Sequence, residues 1–245
     1  MLMWIIGFSI LGSIGALAGA ALLLLFPESI RKNLVPSLIS YATGTLLGAA
    51  FLGMIPAGLD KAPVTGIMIT VLAGIVFFFT LEKFLLWHHC HDHDCEVHGR
   101  AGPLILIGDA FHNFVDGVVI AAAFLTSIPL GIVTAFAVIA HEVPQEIGDF
   151  AILLDNGYTR KQALILNGLS ATATLPGALA AYFWLGEMHT ATPYILALSA
   201  ASFIYIAVAD LIPGLHRQVT LSAALRQLIL LLAGIGTIAF FHIGG

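Results

Sequence analysis

The sequence feature that most constrains this chain is a series of eight long apolar stretches, separated by short breaks of polar residues, proline and glycine. A helix needs about 20 predominantly apolar residues to cross the hydrocarbon core of a bilayer. The stretches are continuously apolar rather than alternating, which favours helices over the strands of a membrane β-barrel. The sequence therefore predicts one all-α transmembrane domain over 1–245 with eight helices, at approximately 4–26, 34–58, 64–87, 103–126, 129–154, 162–185, 191–213 and 221–243.

The small number of charges supports this prediction and excludes other classes of protein. Only 9% of the residues are charged, against roughly 25% in an ordinary soluble domain. Nine Lys and Arg residues and a net charge of −5 provide no electrostatic surface for nucleic acid. Two cysteines exclude a disulfide scaffold. We therefore expect an integral, multi-pass membrane protein that is surrounded by the lipid bilayer and binds no nucleic acid.

Basic residues set the predicted orientation of the helices. Eight of them lie in or beside the connections that follow helices 1, 3, 5 and 7, whereas Lys61 alone lies in the other connections. Because basic residues accumulate on the cytoplasmic side, the odd-numbered connections are predicted to be cytoplasmic and both termini extracytoplasmic. The eight residues are Arg31, Lys32, Lys83, Arg100, Arg160, Lys161, Arg217 and Arg226.

Helices 2 and 7 end in similar sequences. Residues 54–59 read Met-Ile-Pro-Ala-Gly-Leu, and residues 211–215 read Leu-Ile-Pro-Gly-Leu. In the predicted topology the two helices run in opposite directions, as in an inverted repeat of helices 1–3 and 6–8 with helices 4 and 5 between them. This 3+2+3 arrangement is one interpretation, and the other is that Ile-Pro-Gly is a common sequence at helix ends.

Helices 4 and 5 contain ionisable residues where the surroundings are predicted to be apolar. Each charged group near the bilayer centre costs about 2.5–3.5 kcal/mol. Neither helix core contains a lysine or arginine that compensates them, so a cation from outside the chain is the candidate partner. The seven residues are Asp109, His112 and Asp116 on helix 4, and His141, Glu142, Glu146 and Asp149 on helix 5.

The spacing of these residues gathers metal-ligand types on one face of each helix. Asp109, His112 and Asp116 lie at i, i+3 and i+7 on helix 4, and His141 and Gln145 lie at i and i+4 on helix 5. Two facing helices therefore present imidazoles, carboxylates and amides to one point. Such mixed ligands suit Zn²⁺, Fe²⁺ and Mn²⁺ better than Mg²⁺ or Ca²⁺. The candidate ligands are His112, Asn113, Asp116, His141, Glu142 and Gln145.

The other acids of helices 4 and 5 are candidates for a metal path or for proton-linked steps. Asp109 lies a turn from the candidate ligands, and Glu146 and Asp149 extend the polar stripe towards the predicted cytoplasmic end of helix 5. Pro144 removes one backbone hydrogen bond within that stripe. The alternative for any single residue is a buried hydrogen bond between helices, but two histidines and two carboxylates together favour a metal.

The connection between helices 3 and 4, at 88–100, concentrates thiols and imidazoles on the predicted cytoplasmic side. Thiols stay reduced there, so a disulfide between Cys90 and Cys95 is not expected. A tract rich in thiolates, imidazoles and carboxylates predicts a loose metal trap, and a solvated polar linker is the alternative. The candidate ligands in this connection are His88, His89, Cys90, His91, His93, Cys95 and His98.

Two motifs in helices 4 and 5 resemble those of a known family. Residues 112–117, His-Asn-Phe-Val-Asp-Gly, resemble the HNxxDG motif in the fourth helix of the ZIP (Zrt-/Irt-like) transporters. Residues 141–150, His-Glu-Val-Pro-Gln-Glu-Ile-Gly-Asp-Phe, resemble the HExPHExGDF motif of their fifth helix. The resemblance implies a ZIP-like 3+2+3 inverted-repeat bundle and transport of divalent transition metals, mainly zinc, into the cytoplasm.

The same resemblance implies a metal site between helices 4 and 5, with ligands in two neighbouring positions. The first position would use His112, Asp116, His141 and Gln145. The second would use Asn113 and Glu142, with Asp116 and Gln145 near both.

The chain departs from the family pattern in three helices. Gln145 stands where the closest motif has a second histidine. Ala49 and Gly53 stand in helix 2 where similar members often have Asp and His. Helix 6 offers Asn167 and Ser170 where some members have a carboxylate. The number of metal ions in the site, one or two, is left open.

We predict an importer of divalent transition metal, with zinc favoured, that works by alternating access through a mid-membrane site between helices 4 and 5. Zn²⁺, or Cd²⁺, Fe²⁺ or Mn²⁺, is then a transported substrate, and neither a cofactor nor enzymatic activity is expected. The alternative is an intramembrane metallopeptidase, whose HExxH motif needs histidine where Gln145 stands. The bacterial inner (plasma) membrane is the expected location, and a homodimer is left open.

Overall fold

Helices dominate the structure. The computed structural model describes residues 1–87, 101–185 and 190–243, so the predicted metal trap at 88–98 lies outside the described residues. Within the described ranges helices are the only regular secondary structure, and eight are long and apolar enough to cross a membrane, which confirms the predicted all-α, eight-span class. They are α1 (Leu2–Leu24), α2 (Glu28–Leu59), α3 (Val64–Trp87), α4 (Ala101–Thr126), α5 (Ile128–Asp155), α6 (Arg160–Ala171 and Thr174–Leu185), α7 (Thr192–Leu215) and α8 (Leu221–Ile243).

Polar residues determine where several helices begin. Helix α2 starts at Glu28 rather than near 34, because Pro27 precedes its first turn and Glu28 pairs with Lys32 at 3.0 Å. Helix α5 starts after Ser127, whose hydroxyl accepts a hydrogen bond from the Leu130 amide. Helix α6 starts after Thr159, which forms a reciprocal capping box with Gln162. The side-chain caps of α5 and α6 therefore satisfy backbone amides that have no partner within those helices.

The two helices with similar ends also share an irregular backbone. Helix α2 contains a π-helical segment at Ala49–Met54, and α7 contains one at Ile206–Leu211. Each segment is followed by an Ile-Pro step, at Ile55–Leu59 and Ile212–Leu215. Proline lacks the amide hydrogen and crowds the preceding turn, so a widened turn is a low-energy way to continue the helix. The similarity of α2 and α7 therefore extends from sequence to backbone geometry.

Small residues let pairs of helices pack at close range. Helix α4 packs most extensively on α6, α2 on α8 and α3 on α7, while α5 contacts α1, α2 and α4. A Cβ atom added at Gly117 would lie 1.9 Å from the Thr174 carbonyl oxygen, and one at Gly177 would lie 2.0 Å from the Phe114 oxygen. Such approaches, in which glycine faces backbone, are typical of helix pairs in membranes. They hold α4 and α6 together beside the candidate ligands.

The outer surface of the bundle is apolar and its centre contains the polar groups. Helices α3 and α8 expose large apolar side chains such as Leu72, Val76 and Ile229. Asp116, His141 and the other candidate site residues lie on the enclosed faces of α4 and α5. The fold therefore surrounds a polar centre with an apolar shell, which suits a lipid environment.

The packing of α8 on α2 predicts different effects for two glycines only two residues apart. A Cβ at Gly234 would lie 2.3 Å from the Tyr41 carbonyl oxygen, whereas a Cβ at Gly236 meets nothing within 4 Å. We expect Gly234→Ala to lower the free energy of unfolding by about 1–3 kcal/mol or more, because backbone must move. Gly236→Ala should be neutral or slightly stabilising. Thermal unfolding of both variants in detergent measures this, and equal unfolding temperatures would contradict the described packing.

Candidate metal centre

Four metal-ligating side chains from two helices meet in the middle of the bundle. His112 and Asp116 are four residues apart on α4 and so share one face of that helix. His141 and Glu142 are adjacent on α5, which packs against α4. One ligand atom from each residue lies within 4.8 Å of all the others. We call these four residues the α4–α5 cluster.

The distances within the α4–α5 cluster fit tetrahedral coordination. The two imidazole Nε2 atoms are 3.2 Å apart. The distance from His141 Nε2 to Asp116 Oδ2 is 3.1 Å, and the distance from His112 Nε2 to Glu142 Oε1 is 3.3 Å. Two longer distances, His112 to Asp116 and His141 to Glu142, are both 3.7 Å. With metal–ligand bonds of about 2.0–2.1 Å, the ligands of a tetrahedral Zn²⁺ lie about 3.3 Å apart.

The cluster is buried and, within the described ranges, has no lysine or arginine to compensate its carboxylates. Asp116 and Glu142 are 1% exposed at their side chains and His141 is fully buried, whereas His112 is 20% exposed. None of the four carboxylate oxygens has a hydrogen-bond donor, despite the short contacts to imidazole. No lysine or arginine pairs with them among the described residues. Buried carboxylates in this state are costly, and a divalent cation between them would offset that cost.

A backbone contact orients His141 as a ligand. Its Nδ1 atom lies 2.9 Å from the Ala137 carbonyl oxygen, one turn earlier on α5. A carbonyl only accepts hydrogen bonds, so Nδ1 carries the proton and the Nε2 lone pair points to the cluster. Metal-bound histidines are commonly held by such an outer contact. The His141 ring also lies edge-on to Phe203 of α7, with centroids 6.0 Å apart, which limits its rotation.

Asn113 lies beside the cluster but its amide groups have other partners. Its nitrogen donates to Asp109 Oδ1 at 2.9 Å, and its oxygen accepts from the Thr174 hydroxyl at 2.9 Å. Ser170 donates a hydrogen bond to the second oxygen of Asp109. Gln145 lies next to Asp109, within reach for a polar interaction. The structure thus places Asn113 in a polar network between α4 and α6, with Gln145 of α5 beside it, and the role of these two residues as metal ligands stays a prediction.

Helix α6 contributes a residue to this network that the sequence interpretation did not single out. Thr174 follows a break in α6 at 172–173 and its hydroxyl also bonds the Ala171 carbonyl oxygen at 3.0 Å. Asn167, Ser170 and Thr174 lie at i, i+3 and i+7, the same spacing as the polar residues of α4. That spacing was the available signal in the sequence.

Two further acids on α5 continue from the cluster towards the predicted cytoplasmic end. Glu146 is 1% exposed and neither of its carboxylate oxygens has a hydrogen-bond donor. The Asn167 side-chain nitrogen donates a hydrogen bond to the Glu146 backbone oxygen at 3.2 Å. The Asn167 side-chain oxygen is itself buried without a partner. Asp149, one turn further along, is partly exposed. These positions fit the predicted path, whose use by an ion stays a prediction.

A cavity of about 150 Å³ opens beside His112, the one partly exposed member of the cluster. It lies between α3, α4 and α7, and Glu82 and Asp210 contribute carboxylates to its wall. The Tyr205 hydroxyl donates a hydrogen bond to Glu82 across it. The cavity connects the cluster to the side of the bundle at which α3 ends and α4 begins.

These features define a class: a multi-pass α-helical membrane protein with a buried histidine–carboxylate cluster between two central helices. Residues 88–242 match the ZIP zinc transporter family, and the chain belongs to this family. The expected family membership is confirmed.

Three relatives show how far the similarity extends. Zinc transporter ZIP13 of Pongo abelii is 32% identical over 96% of this chain and 78% of its own length. Zinc transporter YKE4 of Saccharomyces cerevisiae is 30% identical over 84% of this chain and 70% of its own. Zinc transporter SLC39A7 of Rattus norvegicus is 28% identical over 84% of this chain, which spans 64% of that protein.

The unpaired carboxylates predict opposite effects of one substitution on the metal-free and the zinc-bound protein. Asp116→Asn removes a buried charge, so the metal-free variant should unfold at a higher temperature than the wild type. The same change removes an anionic ligand, and we expect zinc affinity to fall on the order of 10²- to 10³-fold. Thermal unfolding after chelation and after zinc addition measures both effects.

Thr134→Val is the matched control for this prediction. Thr134 is fully buried on α5, two turns before His141, and its hydroxyl also has no partner. The variant should keep the wild-type stabilisation by zinc. A wild-type zinc response in Asp116→Asn would show that the α4–α5 cluster is not the binding site.

Proposed function

We propose that the protein imports a divalent transition metal, with zinc favoured, through the α4–α5 cluster. The observation on which this depends is a buried set of four ligand atoms, in which the imidazole nitrogens lie 3.1–3.7 Å from each other and from the carboxylate oxygens. Two imidazoles and two carboxylates suit Zn²⁺, and also Cd²⁺, Fe²⁺ and Mn²⁺. The ion is the transported substrate rather than a cofactor. The three relatives described above are all named as zinc transporters, which supports the same substrate.

Packing on the two sides of the cluster supports alternating access. Towards the end of α4 and the start of α5, predicted to be extracytoplasmic, the bundle is filled by buried apolar side chains such as Phe124 and Leu130. Leu130 packs against α2, where a Cβ at Gly53 would lie 2.9 Å from its Cδ1 atom. The cavity beside His112 lies on the other side. The conformation is that of a transporter closed to the outside and open to the cytoplasm.

The cavity beside His112 supports release towards the cytoplasm. It is lined by the second halves of α3 and α7 and the first half of α4, which all lie on the side marked by the basic connections. His112 is the ligand in contact with the cavity, so water reaches that metal bond first. Asp210 and Glu82 then attract the departing cation.

Helix contacts support the 3+2+3 inverted repeat. In such a repeat α1–α3 correspond to α6–α8, and α4 corresponds to α5. Each contact between two helices should then have a counterpart between the two corresponding helices. The α2–α8 contact corresponds to the α7–α3 contact, and the α4–α6 contact corresponds to the α5–α1 contact. The π-helical segments of α2 and α7 also correspond. We propose that α1–α3 and α6–α8 move relative to the α4–α5 pair during transport.

Other sequence predictions stay predictions. They are the metal trap at 88–98, extracytoplasmic termini, a homodimer, and the bacterial inner membrane as location, and the relatives named above are eukaryotic proteins. The metallopeptidase alternative gains no support, because Gln145 occupies the second histidine position of HExxH and the relatives are transporters.

Zinc uptake into proteoliposomes tests the proposed function. Purified protein should produce a zinc-dependent signal from an indicator trapped inside the vesicles. His141→Ala should reduce the initial rate to the level of protein-free vesicles, because it removes a buried ligand and leaves two unpaired carboxylates. Thr134→Val should transport at the wild-type rate. Absence of flux through the folded wild type, or full flux through His141→Ala, would refute the proposal.

The proposed release route makes a separate prediction about Asp210. Asp210→Asn removes a carboxylate from the cavity wall without touching the cluster. We expect the maximal uptake rate to fall about tenfold, which corresponds to about 1.4 kcal/mol, while stabilisation by zinc stays unchanged. Unchanged uptake kinetics would mean that the ion leaves by another route.

A further inference from the structure

An apolar groove lies between α1, α5 and α6, and it shares no lining residue with the cavity beside His112. Its volume is about 400 Å³. Leu24 of α1, Phe150 and Leu154 of α5 and Leu164 of α6 line it. These residues lie near the end of α1, the end of α5 and the start of α6, so the groove is at the predicted cytoplasmic boundary of the bundle. We call it the α1–α5–α6 groove.

Two arginines from different connections meet at this groove. Arg31 lies in the first turn of α2, and Arg160 is the first residue of α6. Neither guanidinium forms an ion pair within the described part of the chain, and the Arg31 Nε atom is buried without an acceptor. Glu28, the nearest acid in sequence to Arg31, pairs with Lys32. Two guanidinium groups in the wall of one groove, one of them with a buried nitrogen that lacks an acceptor, favour an anion as the ligand.

The chemistry of the groove indicates which kind of anion would bind there. Guanidinium groups bind phosphate through paired, charge-assisted hydrogen bonds. The helix starts of α2 and α6 add favourable dipole ends at the same boundary. The rest of the lining is apolar, so a small soluble anion would leave it unfilled. A molecule with a phosphate at one end and a hydrocarbon chain at the other matches both parts.

We propose that the α1–α5–α6 groove binds one anionic phospholipid of the predicted cytoplasmic leaflet. The lipid phosphate lies between Arg31 and Arg160, and one acyl chain lies along the groove against Phe150 and Leu154. Basic pockets between transmembrane helices bind lipid headgroups elsewhere through the same forces. The lipid connects α1 to α5 and α6.

A second cavity with two arginines provides the contrast. It has a volume of about 630 Å³ and lies between α2 and the α7–α8 connection, with Arg217 and Arg226 in its wall. There Arg226 donates hydrogen bonds to Asn33 and Gln218, at 3.4 and 3.3 Å, although its Nε atom is buried without an acceptor as that of Arg31 is. The cavity has a polar lining and no hydrocarbon slot. Arg217→Gln is therefore a matched control, which removes one positive charge from the same boundary but outside the groove.

The test compares lipids added to delipidated protein in a neutral detergent. Native mass spectrometry counts bound lipid, and thermal unfolding measures its effect. Phosphatidylglycerol should bind at one molecule per chain and raise the unfolding temperature more than phosphatidylcholine. Arg31→Gln and Arg160→Gln should each weaken phosphatidylglycerol binding about fivefold, and the double variant roughly 30-fold. Arg217→Gln should bind it as the wild type does.

Further arms separate a lipid from a soluble anion. Ala151→Trp fills the groove with a large ring and leaves both arginines, so it should also lose phosphatidylglycerol binding. Inorganic phosphate should neither stabilise the wild type nor displace the lipid. Equal binding of the two lipids, equal loss in Arg217→Gln, full binding by Ala151→Trp, or replacement of the lipid by phosphate would each overturn the proposal. The wild-type comparisons hold even if one variant fails to fold.

Discussion

The structure depends on an unfavourable encounter: two carboxylates and two imidazoles face one another at the centre of an apolar bundle. Asp116 and Glu142 have no hydrogen-bond donor and no lysine or arginine partner among the described residues, and their nearest charged or chargeable neighbours are the two imidazoles. The energetic cost of such groups is several kcal/mol in a membrane. Helix packing forces them together, and a divalent cation between them would make the arrangement favourable. Binding of such a cation would therefore stabilise the fold.

The rest of the bundle makes this encounter possible through backbone features. Gly117 and Gly177 bring α4 within backbone contact of α6, which supports α4 from behind. The Ala137 carbonyl holds His141, and the network of Asp109, Asn113 and Thr174 ties α4 to α6 next to the cluster. The cluster geometry is thus supported by rigid helices rather than loops, which is what precise metal coordination requires.

Much of the architecture is predictable because it depends on the lengths of apolar stretches and on the spacing of residues along the chain. An apolar length of about 20 residues specifies a span, and spacing along α4 and α5 specifies which polar residues share a face. The spacing of residues along each helix does not determine how α5 is rotated about its own axis relative to α4. Glu142 and Gln145 were both candidates, and only the packed helices place Glu142 among the four cluster residues, with Gln145 beside Asp109. The place of Thr174 in the polar network also follows from helix packing, because it depends on how closely α4 and α6 approach each other.

The bundle is packed differently on the two sides of the cluster, and this difference links the cluster to the proposed transport. Phe124 and Leu130 fill one side of the bundle, and a cavity with two carboxylates opens on the other. The arginine-lined groove lies between α1, α5 and α6. Helix α5 thus contributes two residues to the α4–α5 cluster and, by our inference, also contacts a lipid. Its position in the bundle makes it the element through which the membrane would act on the α4–α5 cluster.

X-ray absorption spectroscopy of the protein with one equivalent of zinc tests the central claim most directly. The α4–α5 cluster predicts four nitrogen and oxygen ligands at about 2.0–2.1 Å, with two imidazoles, and one imidazole fewer in His141→Ala. Sulfur ligands at about 2.3 Å would instead indicate the cysteines of the 88–98 tract. A zinc spectrum that is dominated by sulfur, or that is unchanged by His141→Ala, would contradict the account.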